Sequence, residues 1–188
     1  APADQTDQST AAPTQGQDSK SDQTDPKTDQ GKTPAAASPQ QESATPGPAA
    51  TTGYVWPVEG EVDRDFSLEV FAYDDTMGDW RTHDGIDVQA DEGAAVKTAA
   101  AGTVQSVTDD ELMGTTVVIQ HDGGYATQYS SLQENTPVAQ GQTVAAGEVI
   151  GYVGSTSAAE SRMGPHLHFS VSRDGAVIDP HDYVNGGE

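Results

Sequence analysis

Cysteine is absent from the 188 residues, which excludes a disulfide framework, a thiolate metal site and a cysteine nucleophile. Basic residues are scarce. Against 30 Asp and Glu there are 8 Lys and Arg, for a net charge of −22. A nucleic-acid partner needs clustered cations to neutralise phosphates, so DNA and RNA are not expected as partners. The acidity favours solubility and repels anionic surfaces over a Debye length of about 8 Å at physiological salt. No apolar run approaches the ~20 residues needed to span a bilayer, and no basic-then-apolar segment opens the chain. A chain opening at Ala1 rather than Met is expected to be a cleaved or truncated product.

Large apolar side chains are missing from residues 1–52, which contain no Leu, Ile, Val, Phe, Tyr or Trp. Ordering a backbone costs about 1–2 kcal/mol per residue, and this stretch has nothing to bury against that cost. It reads as a disordered linker rich in Ala, Pro, Gln, Asp and Thr, stiffened locally by proline. The composition changes at Gly53, and residues 53–188 read as one domain. From Tyr54 onward there are 23 acidic and 5 basic residues, so the domain carries most of the charge.

Within the domain, β-branched segments alternate with glycine-containing turns. Ala101–Val107, Thr115–Gln120, Tyr125–Ser130, Gln142–Val144, Glu148–Val153 and Leu167–Val171 read as short strands. Their spacing, with the Asp122-Gly123-Gly124 turn, predicts an antiparallel all-β domain. No segment has a helical period, and Asp109–Met113 reads as a loop.

Two motifs carry metal chemistry. In Gly164-Pro165-His166-Leu167-His168-Phe169 the histidines are two apart, so on a strand they share one face while Leu167 and Phe169 face the core. Such a strand suits a metal site at the edge of a rigid sheet; the alternative is a pair of ordinary surface histidines. Upstream, Thr82-His83-Asp84-Gly85-Ile86-Asp87 places an imidazole and a carboxylate four residues apart. Zinc accepts both donor types, and catalytic sites usually keep three protein ligands and one open position. His83, Asp87 and one histidine of the pair would complete such a set, unless Asp87 merely caps a turn.

HDGID followed by a glycine-rich β segment and then GPHLHF resembles the LytM/lysostaphin family of zinc endopeptidases, whose signature is H-x-x-x-D far upstream of H-x-H. The similarity runs from Trp56 to about Tyr183. It includes Trp56-Pro57-Val58, Ala100–Val104, Val118–His121, Gly141–Val144, Gly147–Gly151 and Asp179-Pro180. It implies a lysostaphin-type, duplicated-hybrid-motif-like fold, Zn2+ as cofactor and the peptide of bacterial peptidoglycan as substrate. Carried over position by position, it makes His83, Asp87 and His168 the zinc ligands and His166 a catalytic histidine beside the metal.

One position departs from the pattern. The family's Y-x-H-L segment corresponds to Tyr129-Ser130-Ser131-Leu132, so Ser131 stands where a second catalytic histidine is usual. Serine cannot hold positive charge near neutral pH, and loss of one transition-state donor typically costs about 10²–10³ in rate. The expectation is therefore a weak peptidase. The stretch before the first motif, Asp74–His83, resembles a clostridial branch of the family, the stage II sporulation protein Q type. That likeness implies the alternative of a non-catalytic scaffold engaging another sporulation or envelope protein. Either role implies an extracytoplasmic location, anchored through an upstream segment. The segment Ser155–Met163, with Glu160 and Arg162, is long enough to reshape a substrate groove. His121 is expected to be structural, and His181 a solvated surface residue.

Overall fold

The computed structural model describes residues 53–186; the linker read over residues 1–52 lies outside them. Among the described residues twelve strands and one short α-helix follow in chain order, with a 3-10 turn at Asp122–Gly124. They are β1 (Glu61–Arg64), β2 (Ser67–Asp74), β3 (Asp79–His83), β4 (Ile86–Gln89), β5 (Ala95–Lys97) and β6 (Gly102–Asp110). Then come β7 (Gly114–Gln120), β8 (Tyr125–Leu132), β9 (Thr143–Val144), β10 (Val149–Tyr152), β11 (His166–Arg173), β12 (Ala176–Ile178) and α1 (Pro180–Val184).

The main sheet has the order β1-β4-β11-β8-β7-β6-β9, with β12 also pairing to β11. Every pairing in it is antiparallel. The all-β expectation holds, and each of the six segments read as strands overlaps a strand. The histidine-bearing strand β11, however, lies inside the sheet between β4 and β8, not at its border. Interior placement pairs its backbone on both sides, which fixes its side chains more firmly than an edge would.

Alternation divides the sheet into two faces. Leu167, Phe169 and Val171 of β11 join Ile86, Val88, Val117, Ile119 and Tyr129 in a continuous buried core. Val96 and Ile150 of the separate β5–β10 pair belong to the same core. His166 and His168 alternate with the core residues and are buried as well, so something other than water covers their face. The α-helix α1, not legible from periodicity, has only five residues and is set by its ends: Asp179 accepts the His181 N–H and Pro180 occupies the first turn.

Strands β2 and β3 form their own two-stranded ribbon. Val70, Phe71, Tyr73 and Trp80 are exposed along it, and Tyr73 packs edge-on against Trp80. Its turn is organised by Asp74, whose carboxylate accepts the N–H groups of Thr76 and Met77 and pairs with Arg64 at 3.0 Å.

Candidate metal centre

The register of β11 against β4 sets His168 directly opposite Asp87, and its pairing with β8 sets Ser130 on the other side. His83 ends β3, and the two-residue step Asp84-Gly85 turns the chain into β4, so the HDGID motif wraps one corner of the site. Gly85 permits this corner. A Cβ there would meet the Phe169 carbonyl oxygen at 2.7 Å and His168 Nε2 at 2.8 Å. Only a residue without a side chain lets the turn lie against the histidine ring.

His83 Nε2, His168 Nδ1, an Asp87 carboxylate oxygen and a Glu160 carboxylate oxygen converge. One ligand atom from each residue lies within 4.8 Å of all the others. His83 Nε2 is 3.3 Å from His168 Nδ1 and 3.2 Å from Asp87 Oδ2. His168 Nδ1 is 2.8 Å from Asp87 Oδ1. His83 is oriented from behind, because its Nδ1 donates to the Asp65 main-chain carbonyl at 3.0 Å and leaves Nε2 facing the centre. The two histidines thus present different ring nitrogens.

This cluster fits a metal ion. Asp87 is fully buried, and its Oδ2 faces His83 Nε2 at 3.2 Å without receiving a hydrogen bond among the described residues, because that ring's proton is on Nδ1 toward Asp65. An unsatisfied buried carboxylate oxygen is costly unless a cation shares it. Neutral imidazole and carboxylate are donors zinc accepts readily. In the absence of a cation, protonated imidazole balances the charge of the buried carboxylates. Burial lowers the basicity of His168, but Asp87 and Glu160 beside it more than reverse this and raise its pKa. Burial likewise works against ionised Glu160, and contacts with His166 and His168 overturn that and hold it well below the usual carboxylate range. Metal binding would therefore displace protons, as it does wherever ligands must be deprotonated.

His166 stands beside the cluster rather than in it. Its Nδ1 donates to the Gly164 carbonyl at 2.8 Å, and its Nε2 is 3.1 Å from Glu160 Oε2. Ser131, at the end of β8, is fully buried with φ 63°, and its hydroxyl has no partner among the described residues. His121 lies elsewhere, its Nδ1 donating to the Ala101 carbonyl and its Nε2 accepting from the Thr127 hydroxyl. His181 is only partly solvated, bonding Asp65 at 3.0 Å and lying edge-on to Trp56.

Two contributors escape a local reading. Asp65 acts through its main-chain oxygen, which no motif records. Glu160 is noticeable only as an acidic residue in a long segment ahead of GPHLHF.

A buried histidine–carboxylate cluster on an antiparallel sheet, with a further imidazole alongside, defines the class of all-β domains built around a candidate metal centre. Residues 81–180 match Peptidase family M23, and the chain belongs to that family. It is 39% identical over 101 residues to the DD-carboxypeptidase/endopeptidase Mpg of Neisseria meningitidis, an alignment spanning 54% of this chain and 22% of that protein. It is 33% identical over 103 residues to stage II sporulation protein Q of Bacillus subtilis, spanning 54% of this chain and 36% of that one. Among solved structures, a zinc-containing peptidase from Vibrio cholerae superposes with a TM-score of 0.60 at 28% identity, covering 69% of this chain and 39% of that one. The chain thus spans well under half the length of these relatives.

Proposed function

We propose that this is a zinc-binding domain that acts on peptide cross-bridges of bacterial peptidoglycan, on the outer side of a membrane, with hydrolysis weakened at Ser131. His83, Asp87 and His168 would hold the zinc. The observation that carries this reading is the convergence of their donor atoms around a buried Asp87 oxygen that no hydrogen bond satisfies. When bound, zinc supplies Lewis acidity toward a peptide carbonyl.

The remaining work falls to the chain's own groups. In amide hydrolysis the water oxygen joins the carbonyl carbon, the C–N bond breaks and a proton reaches the leaving amine. His166 would carry that proton through Nε2, its ring held by the Gly164 carbonyl. Ser131 cannot replace a cationic donor to the developing oxyanion, which accounts for an expected deficit of about 10²–10³.

A second reading is a non-catalytic module that engages another envelope or sporulation protein. It is favoured by the exposed apolar side chains of the β2–β3 ribbon and by the relative named for sporulation. Digestion of purified peptidoglycan separates the two readings. Slow release of soluble fragments by the zinc-loaded protein, absent in His166→Ala, supports the peptidase. Equal release by both proteins would take the proton transfer away from His166, and none from either would sink the hydrolytic assignment and leave the module.

A further inference from the structure

Glu160 sits on the segment Ser155–Met163 that links β10 to β11, and it is only 5% exposed. A carboxylate is not buried without a partner that balances its charge, and the neighbours of its two oxygens differ. Oε1 is 3.4 Å from His168 Nδ1, on the side of the converging donors. Oε2 is 3.1 Å from His166 Nε2 and 3.1 Å from the Ser157 hydroxyl. One oxygen toward the ion and the other held by outer partners is how a carboxylate is oriented as a ligand.

Three of the six donor separations match a tetrahedral ion, and all six lie within 4.8 Å. Ligand atoms around a tetrahedral zinc with bonds of about 2.0–2.2 Å lie roughly 3.3–3.5 Å apart. The separations His83 Nε2 to His168 Nδ1, His83 Nε2 to Asp87 Oδ2 and His168 Nδ1 to Glu160 Oε1 are 3.3, 3.2 and 3.4 Å.

The segment is also fastened down. Thr156 Oγ1 donates to the Leu132 carbonyl at 2.8 Å, and the Ala159 N–H donates to the Leu112 carbonyl at 3.0 Å. Beyond Glu160, Arg162 donates to the Asp75 carbonyl at 3.0 Å, reaching the turn of the β2–β3 ribbon across the site. Gly114, at φ +70°, lies so close beneath Thr156 that a Cβ would meet its main-chain carbon at 2.5 Å.

We infer that Glu160 is a fourth metal ligand, supplied by a covering segment, and that it fills the coordination position a peptide substrate would need. The resting domain then holds its ion in a closed cage of four side chains, as structural zinc sites do. Substrate reaches the metal only when Ser155–Met163 withdraws. This inference rests on the proposal that His83, Asp87 and His168 bind the ion.

Cobalt(II)-loaded protein tests it through its visible absorption. Azide should leave the wild-type spectrum unchanged and should shift that of Glu160→Ala, where a position has opened. Competition with a chelator should show zinc affinity lowered about 10-fold or more in Glu160→Ala. The near-isosteric Glu160→Gln should move in the same direction, and it serves where the alanine variant does not fold. A wild-type spectrum that responds to azide, or wild-type zinc affinity in the folded Glu160 variants, overturns the cage. If the wild type takes up no stoichiometric metal, or His83→Ala takes up as much, the underlying ligand assignment fails instead.

Discussion

At the residue scale, chemistry was legible where neighbours in sequence are also neighbours in space. His166 and His168 share a face because a strand alternates, and His83 and Asp87 meet because only Asp84 and Gly85 turn the chain between them. Asp65 and Glu160 were not legible as site residues, since each arrives from a separate segment and one contributes only a carbonyl. Gly85 gives the motif its tolerance limit. Gly85→Ala drives a Cβ into the Phe169 carbonyl and the His168 ring, and main chain on one side cannot yield. The expected cost is about 1–3 kcal/mol of stability, together with weakened metal binding, measured by denaturant melts and chelator competition.

His121 provides a second residue-scale expectation, away from the metal. Burial pushes its imidazole pKa below the ordinary value, despite the Ala101 carbonyl and nearby Asp122, which favour the charged form. The Tyr183 ring lies 6.0 Å away, and the Thr127 hydroxyl bonded to Nε2 is itself 3.0 Å from the Tyr129 hydroxyl. The neutral ring fits this chain of hydrogen bonds, whereas the unfolded imidazole protonates near its usual value of about 6.5. Between the two pKa values the unfolded state binds more protons, so this contribution is complete above about 6.5 and is lost as pH falls through the lowered folded value. The difference in melting temperature between pH 7.5 and 5.5 should therefore be smaller in His121→Gln than in the wild type. Equal differences would remove His121 from the account.

At the element scale, the strands legible in the sequence are those rich in valine, isoleucine and threonine between glycine turns. Strands β1 to β5 and β12 went unread for two reasons. Strands β1, β4, β5 and β12 have only three or four residues, and β2 and β3 are exposed or half-buried over most of their length, so neither length nor apolar alternation marks them. The β2–β3 ribbon depends instead on Asp74. Burial opposes ionisation of this carboxylate, but the Met77 N–H and the Arg64 guanidinium outweigh it and hold the pKa below the ordinary range. Asp74→Asn should cost about 1–3 kcal/mol by removing charge-assisted bonds at a buried site. The loss should appear as faster amide exchange in the ribbon. In the wild type the same contribution is present above the usual carboxylate pKa and disappears as pH falls through the lowered one. If exchange in Asp74→Asn matches the wild type, the ribbon is held by something else.

At the scale of the whole molecule, the separation of the proposed ligands along the chain has a kinetic meaning. His83 and His168 meet across 85 residues of sequence, and Asp87 and His168 across 81. Closing such loops is slow and is completed only when β4 and β11 are paired side by side. The unfolded chain therefore offers an ion no assembled site, and the folding transition state is expected to offer an incomplete one. Zinc should then act almost wholly on the escape rate from the native state. In stopped-flow denaturant jumps, added zinc should slow unfolding in proportion to its occupancy while leaving the refolding limb nearly unchanged. A refolding limb accelerated by zinc would mean that β4 and β11 come together early and that the ion nucleates this fold.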